Sequence, residues 1–220
     1  MATTQRKEHE YHPELTDFGK WVDSRVRLLS TGGRTSSGIR ETGYVQGGAY
    51  ATAAIAKLKR SVGHDIGADP DIFEWTLAGL PEPDEEQKHQ ISGVPTAHEL
   101  AAHTAITLFA LHQQSIHEMS VHTQSALSLG GAVARLSFDN ANVAGIRSRF
   151  NRIQTAGSWQ ELVHHARGLI ALMKRDRIVL NYALFAQDLL QLHAGRVSAN
   201  NVRMRWGKDA LRIVDPEQAA

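Results

Sequence analysis

Apolar residues recur along this chain at helical rather than strand spacing. From Asp17 they fall at Phe18, Trp21, Val22, Val26 and Leu29, a period that predicts an amphipathic helix. The run Ser30-Thr-Gly-Gly-Arg-Thr-Ser-Ser-Gly38 breaks the pattern and reads as a flexible loop. An Ala-rich helix is expected over Tyr50–Val62, where Lys57, Lys59 and Arg60 suit the negative end of its dipole. Asp69-Pro70 reads as a helix start, with Pro at the first helical position, leading into Ile72, Phe73, Trp75 and Leu77. The longest periodic segment, Thr96–Ile116, sets Leu100, Thr104, Leu108 and Leu111 on one face, and Thr96 with Glu99 has capping-box spacing. Later helices are expected at Ser128–Phe138, Val143–Thr155, Ser158–Arg175, Leu180–His193 and Ala199–Ile213, with Ser158 and Glu161 as a second capping box. No segment alternates as a strand would, and there is no internal repeat or low-complexity tract. The expected fold class is all-α, a helical bundle with Phe150, Leu169, Phe185 and Leu189 in its C-terminal core.

The acidic, proline-bearing run from Pro81 to Lys88 and the stretch from His117 to Gln124 are the natural places for a boundary. The expected organisation is a tail at residues 1–14, an irregular N-terminal helical part at 15–122, a C-terminal helix bundle at 123–214, and a second tail at 215–220.

Composition narrows the function. Across 220 residues, 42% are hydrophobic and 21% charged, enough apolar matter for a sizeable core. Cysteine is absent, which excludes a disulfide framework, a Cys-rich zinc site and a thiol nucleophile, and suits a reducing cytoplasm. The polar start Met-Ala-Thr-Thr-Gln-Arg-Lys-Glu has no apolar signal core behind it, and no apolar run is long enough to span a membrane. A cytoplasmic protein is expected.

Twelve histidines raise the question of a metal. His98-Glu-Leu-Ala-Ala-His103 resembles the zinc-protease helix motif, but its histidines stand five apart instead of four. Five residues turn a helix by about 140° beyond a full circle, so the two rings diverge. His112, His117 and His122 are also five apart, and His164 and His165 are adjacent. Gly33-Arg-Thr-Ser-Ser-Gly38 is followed by Ile39, so it is no phosphate-binding P-loop. The dinucleotide fingerprint and the Gly-x-Ser-x-Gly elbow are absent. The run Asp84-Glu85-Glu86 reads as solvated surface. No catalytic residue, cofactor or metal is expected; a hydrolase with a histidine-bound metal is the weakest alternative.

Charge is more informative. Lys+Arg 24 against Asp+Glu 23 leaves a net +1 and a pI of about 8.1, but the balance is uneven. Residues 131–214 carry thirteen basic and five acidic residues, a net +8, leaving −7 elsewhere. Eleven of the thirteen are Arg, whose planar fork matches phosphate. In the helix over Val143–Thr155 the stripe Val143, Ile146, Phe150 and Ile153 is the buried face; Arg147 and Arg149 flank it, and Arg152 points away. Arg203 and Arg205, separated by Met204, diverge around a helix, so one of them is free to pair internally. Such a surface fits a nucleic-acid backbone, without interleaved aromatics for base stacking. The alternatives are ordinary solvated arginines or a helical adaptor whose arginines meet an acidic protein partner.

Several blocks, in order, carry a resemblance to a known family. They are Leu58-Lys-Arg-Ser-Val-Gly-His-Asp-Ile-Gly-Ala-Asp-Pro70 with Ile72-Phe-Glu-Trp75; Thr107-Leu-Phe-Ala-Leu-His-Gln113; Ser128-Leu-Gly-Gly-Ala132; Arg149-Phe-Asn-Arg152; Leu162 through Leu172 with Arg167 inside; and Val202-Arg-Met-Arg-Trp-Gly-Lys-Asp209. Over roughly residues 50–213 they resemble CasB, the small subunit of the type I-E CRISPR Cascade complex. The resemblance implies an all-helical, non-enzymatic protein that pairs with a second copy and with other Cascade subunits. It implies a role in holding the guide RNA–target DNA heteroduplex and the displaced strand, whose sequence the guide reads. The matching positions are Lys59 and Arg60, Arg147 and Arg149 before Phe150, Arg167, and Arg203, Arg205 and Lys208. Arg152 and Arg135 complete the expected nucleic-acid-binding set, Arg135 because Gly131 stands where many relatives are basic. The Gly/Ser segment at residues 30–48 is longer than in shorter relatives.

Overall fold

The computed structural model describes residues 14–35, 37–81, 93–138 and 140–212; the acidic run Asp84-Glu85-Glu86 and Ile213 lie outside them. The first helix, α1 (Asp17–Thr31), is capped by Thr16, whose hydroxyl accepts from the Gly19 amide. Phe18, Val22, Val26 and Leu29 form its buried stripe, as their spacing requires.

The next segment departs from the expected loop. Gly32–Arg34 (β1) pairs antiparallel with Arg40–Thr42 (β2), Gly33 opposite Glu41. None of these six residues is buried, so no alternation marked the strands. A short 3-10 turn, Tyr44–Gln46, leads into α2 (Ala49–Arg60). Asp69-Pro70 does start a helical segment, first a 3-10 turn over Pro70–Ile72 and then α3 (Phe73–Thr76).

Helix α4 (Ala97–Gln113) has the full reciprocal capping box between Thr96 and Glu99. Its apolar arrangement is broader than one face. Every residue from Ala101 to Ala110 is buried, while Leu100 and Leu111 on the expected face are only half-buried. Ala101, Ala102, Ala105 and Ala110 carry no long side chains, so α1, α2, α7 and α8 can surround the helix. A helix enclosed on all sides needs apolar or internally bonded residues all round.

The remaining helices are α5 (Leu129–Ser137), α6 (Val143–Thr155), α7 (Trp159–Arg175), α8 (Tyr182–His193) and α9 (Arg196–Ala210). Ser158 caps α7 through the Glu161 amide, but the Glu161 carboxylate accepts from Gly157 instead of Ser158, so the second box is shifted by one residue. Helix α9 starts a turn before the expected Ala199, directly after Gly195 at φ 113°; its buried stripe Ala199, Val202 and Trp206 begins later than the helix does. The fold is all-α, with Phe150, Leu169, Phe185 and Leu189 all buried as expected.

One hydrophobic core takes in residues from α1 to α9. Thr16 donates from its amide and hydroxyl to Gln187 Oε1 at 2.8 and 2.9 Å, seating the start of α1 on α8. Between α4 and α5 the chain is held by side chains instead of a helix. Gln113 donates to the carbonyls of Ile116 and Met119 and accepts from the Val121 amide. His122 forms a single parallel bridge with Leu180.

Candidate nucleic-acid interface

Helix α7 is the scaffold for the basic residues. Leu162, Val163, Ala166, Leu169, Ile170 and Met173 bury one side of it. Arg167 is exposed, and Lys174 follows seven residues later, about 20° away around the helix and about 10 Å along it. Lys174 donates to the Leu111 carbonyl at 3.1 Å. Burial, then the charges of Lys59 and Arg177, hold its ammonium below the usual lysine range. Lys59, at the end of α2, therefore lies close enough to sense α7. Arg60, its neighbour, is exposed.

Helix α6 brings the next cation to the same surface. The Arg149 side chain lies across α7 at Gly168, where a Cβ would come within 3.4 Å of its Nε. Arg152 is exposed and stands about 60° from Arg149 around α6. Lys59 thus stands near Lys174, Lys174 shares a side of α7 with Arg167, and Arg149 reaches α7 at the residue next to Arg167. Sequence reading left out Lys174 and the gap at Gly168, although the seven-residue step from Arg167 to Lys174 was a usable signal.

Other expected residues are elsewhere. Arg147 lines a groove between α5, α6 and α9 with Val133, Phe150 and Ala210, on the opposite flank of α6 from Arg149. Arg147 and Arg149 flank the buried stripe on opposite sides, because residues two apart in a helix are separated by about 200°. Arg135 lines a cleft with Asn140 and Arg175. Arg203 donates to the Gln154 carbonyl at 2.6 Å and to Asn200 at 3.1 Å, closing the end of α6 onto α9. Arg205 pairs with the buried Asp188, which also accepts from Trp206 Nε1 at 2.6 Å. Internal pairing was foreseen for one of these two arginines; both are engaged. Lys208 is exposed on α9.

The histidines act mainly as fasteners. The Tyr182 amide donates to His122 Nδ1 at 3.2 Å, so Nε2 bears the proton given to Asp23 at 2.9 Å. Burial alone would raise the Asp23 carboxyl, but His122, Arg27 and Gln124 hold it below its ordinary value. His112 shares a 2.9 Å hydrogen bond with Tyr182, and burial pushes its pKa down to about 3. His98 meets Phe18 edge-on, with ring centroids 5.1 Å apart, and His117 stacks on Tyr44 at 4.4 Å. Among the described residues no group of three or more His, Asp or Glu is placed to hold a metal ion. Nor is any helix among them long and apolar enough to cross a membrane.

A family model described as CRISPR-associated protein Cse2 matches residues 54–209. The fold is similar to the crystal structure of CasB from Thermobifida fusca, with 30% identity and a TM-score of 0.68, covering 90% of this chain and 100% of that one. It is also similar to a CRISPR-associated protein of the Cse2 family from Thermus thermophilus, with 19% identity and a TM-score of 0.59, covering 89% of this chain and 98% of that one; at that identity the likeness is one of fold. No curated protein sequence matches.

Proposed function

The chain belongs to the CRISPR-associated Cse2 family, and we propose that it is a non-catalytic small subunit of a type I-E CRISPR surveillance complex that holds nucleic-acid backbone. The observation that carries this reading is the run of cations over α2, α7 and α6: Lys59, Lys174, Arg167, Arg149 and Arg152. Arginine forks along such a run take phosphate oxygens bidentately, and the counterions they displace supply the affinity. Contacts of this kind fix position without reading bases. In the assembly the guide reads sequence, while this surface stabilises the R-loop, the heteroduplex and the displaced strand together. Other Cascade subunits and a second copy of the chain are the protein partners, in the cytoplasm. Arg60, Arg135, Arg147 and Lys208 lie off this run and are secondary contributors; Arg203 and Arg205 serve the fold.

The test is a binding titration at several salt concentrations. The double variant Arg149→Ala, Arg167→Ala should bind unrelated sequences about equally less well. Its log-affinity against log-salt slope should flatten by about 0.9 per lost duplex contact, or about 0.7 per single-strand contact. Its melting temperature should barely move, since exposed substitutions usually stay within about 0.5 kcal/mol. Arg203→Ala should do the reverse, lowering the melting temperature and sparing the slope. Unchanged affinity and slope in the folded double variant would favour an acidic protein partner instead.

A further inference from the structure

A cavity of about 330 Å3 opens between the turn after α2, the first half of α4 and the start of α7. Leu100, Trp159 and Val163 give it apolar walls, and His103 and Gln160 also line it. Most of its buried polar groups are already used. Trp159 Nε1 donates to the Thr104 hydroxyl at 3.1 Å, and the Thr107 hydroxyl donates to the His103 carbonyl at 2.7 Å. The exception is His103, 6% exposed, whose buried Nε2 has no hydrogen-bond partner among the described residues. That nitrogen is covered by the surrounding side chains, so the ring closes the inner wall of the cavity without reaching into it. Burial pushes the His103 pKa down to about 4, so the ring is neutral at pH 7 and adds no charge to the wall.

The electrical character of the cavity excludes an anion. Among the described residues that line it none is Lys or Arg, and Asp65 is one of them. The nearby Asp69 pairs with His64 at 2.7 Å. A phosphate would be repelled there, whereas a neutral heteroaromatic ring is not. Two exposed cations, Arg60 and Arg167, belong to the elements that line it. Arg60 precedes the lining residue Gly63 by three positions, and its charge reaches Asp69. Arg167 comes one turn after Val163 on the same flank of α7.

We infer that this cavity receives one unpaired nucleobase of a single strand whose phosphates pass between Arg60 and Arg167. The base packs against Leu100, Val163 and Trp159. Gln160 hydrogen-bonds its edge, and Asp65 accepts from an exocyclic amino group, which favours cytosine over thymine. The inference rests on the backbone-binding reading and adds one contact to bases within it.

The test compares the full chain's affinity for an oligodeoxycytidylate, an oligothymidylate and an abasic strand of equal length. Backbone binding alone gives equal affinities. An inserted base should favour the cytidylate over the abasic strand by about tenfold, with the thymidylate between them. Val163→Trp and Leu100→Trp fill the cavity from different helices. Either one, if folded, should bring the three affinities together at the abasic level; should neither fold, Gln160→Ala on the rim should narrow the gap. Equal binding of all three strands by the unaltered chain would overturn the inference and leave the backbone reading standing. A preference that persists in the altered chains would also overturn it. Absence of binding to any strand would remove both.

Discussion

Asp188 shows how one residue can link the charge pattern to the core. Its carboxylate lies under α9, takes Trp206 Nε1 and Arg205, and is 3% exposed. Asp188→Ala would leave a buried indole N–H and a guanidinium without their partner. Because Arg205 is half exposed, the main loss is the buried indole's partner, and about 1–3 kcal/mol is expected, read from denaturant midpoints. Burial, opposed by Arg205 and Trp206, raises the Asp188 pKa to about 6, against about 3.9 when unfolded. Between those values the folded chain holds a proton that the unfolded chain has lost. The Asp188 contribution is therefore most favourable below about pH 4, and it diminishes as pH rises through 6. The melting temperature of the unaltered chain should gain on that of Asp188→Asn as pH falls from 7 to 4; a loss over that range would contradict the assignment. The divergence of Arg203 and Arg205 was readable from sequence. Their partners, Gln154 and Asp188, were not, because each lies on a different helix and no local spacing points to it.

Elements were legible where a single stripe is buried. Helices α1, α6 and α7 follow their apolar period closely, and α6 occupies the expected Val143–Thr155. The pattern misled at α4, where enclosure on all sides removes the contrast between faces. It was silent at β1 and β2, where neither strand face is buried. It also gave no hint of how closely α5 and α9 approach. A Cβ at Gly130 would sit 2.1 Å from the Trp206 carbonyl oxygen, whereas one at Gly131 would meet only the flexible end of Leu127 at 3.0 Å. Gly130→Ala must therefore push two helix backbones apart. It should lower stability by about 1–3 kcal/mol, while Gly131→Ala should change it by well under half of that. Thermal melts of the pair would check this, and equal melting temperatures would contradict the contact.

At the scale of the whole molecule, the charge excess of residues 131–214 was visible in sequence, but its arrangement was not. The run of cations needs Lys59 from the other half of the chain, and it leaves Arg147 facing a different groove. Enclosure of α4 by four helices also ranks the molecule's internal motions. Amide protons from Ala101 to Ala110 should exchange only when the whole chain unfolds, whereas those of the β1–β2 hairpin should exchange by local opening. Native-state hydrogen exchange would show this, and fast exchange in α4 would contradict it. The seat of α1 on α8 has a consequence during synthesis. Thr16 and Gln187 are 171 residues apart, so α1 leaves the ribosome long before its partner exists. At elongation rates of about 5–20 residues per second, the apolar stripe of α1 waits for on the order of ten seconds or more. For that interval the nascent chain offers Phe18, Val22 and Val26 to whatever surrounds it.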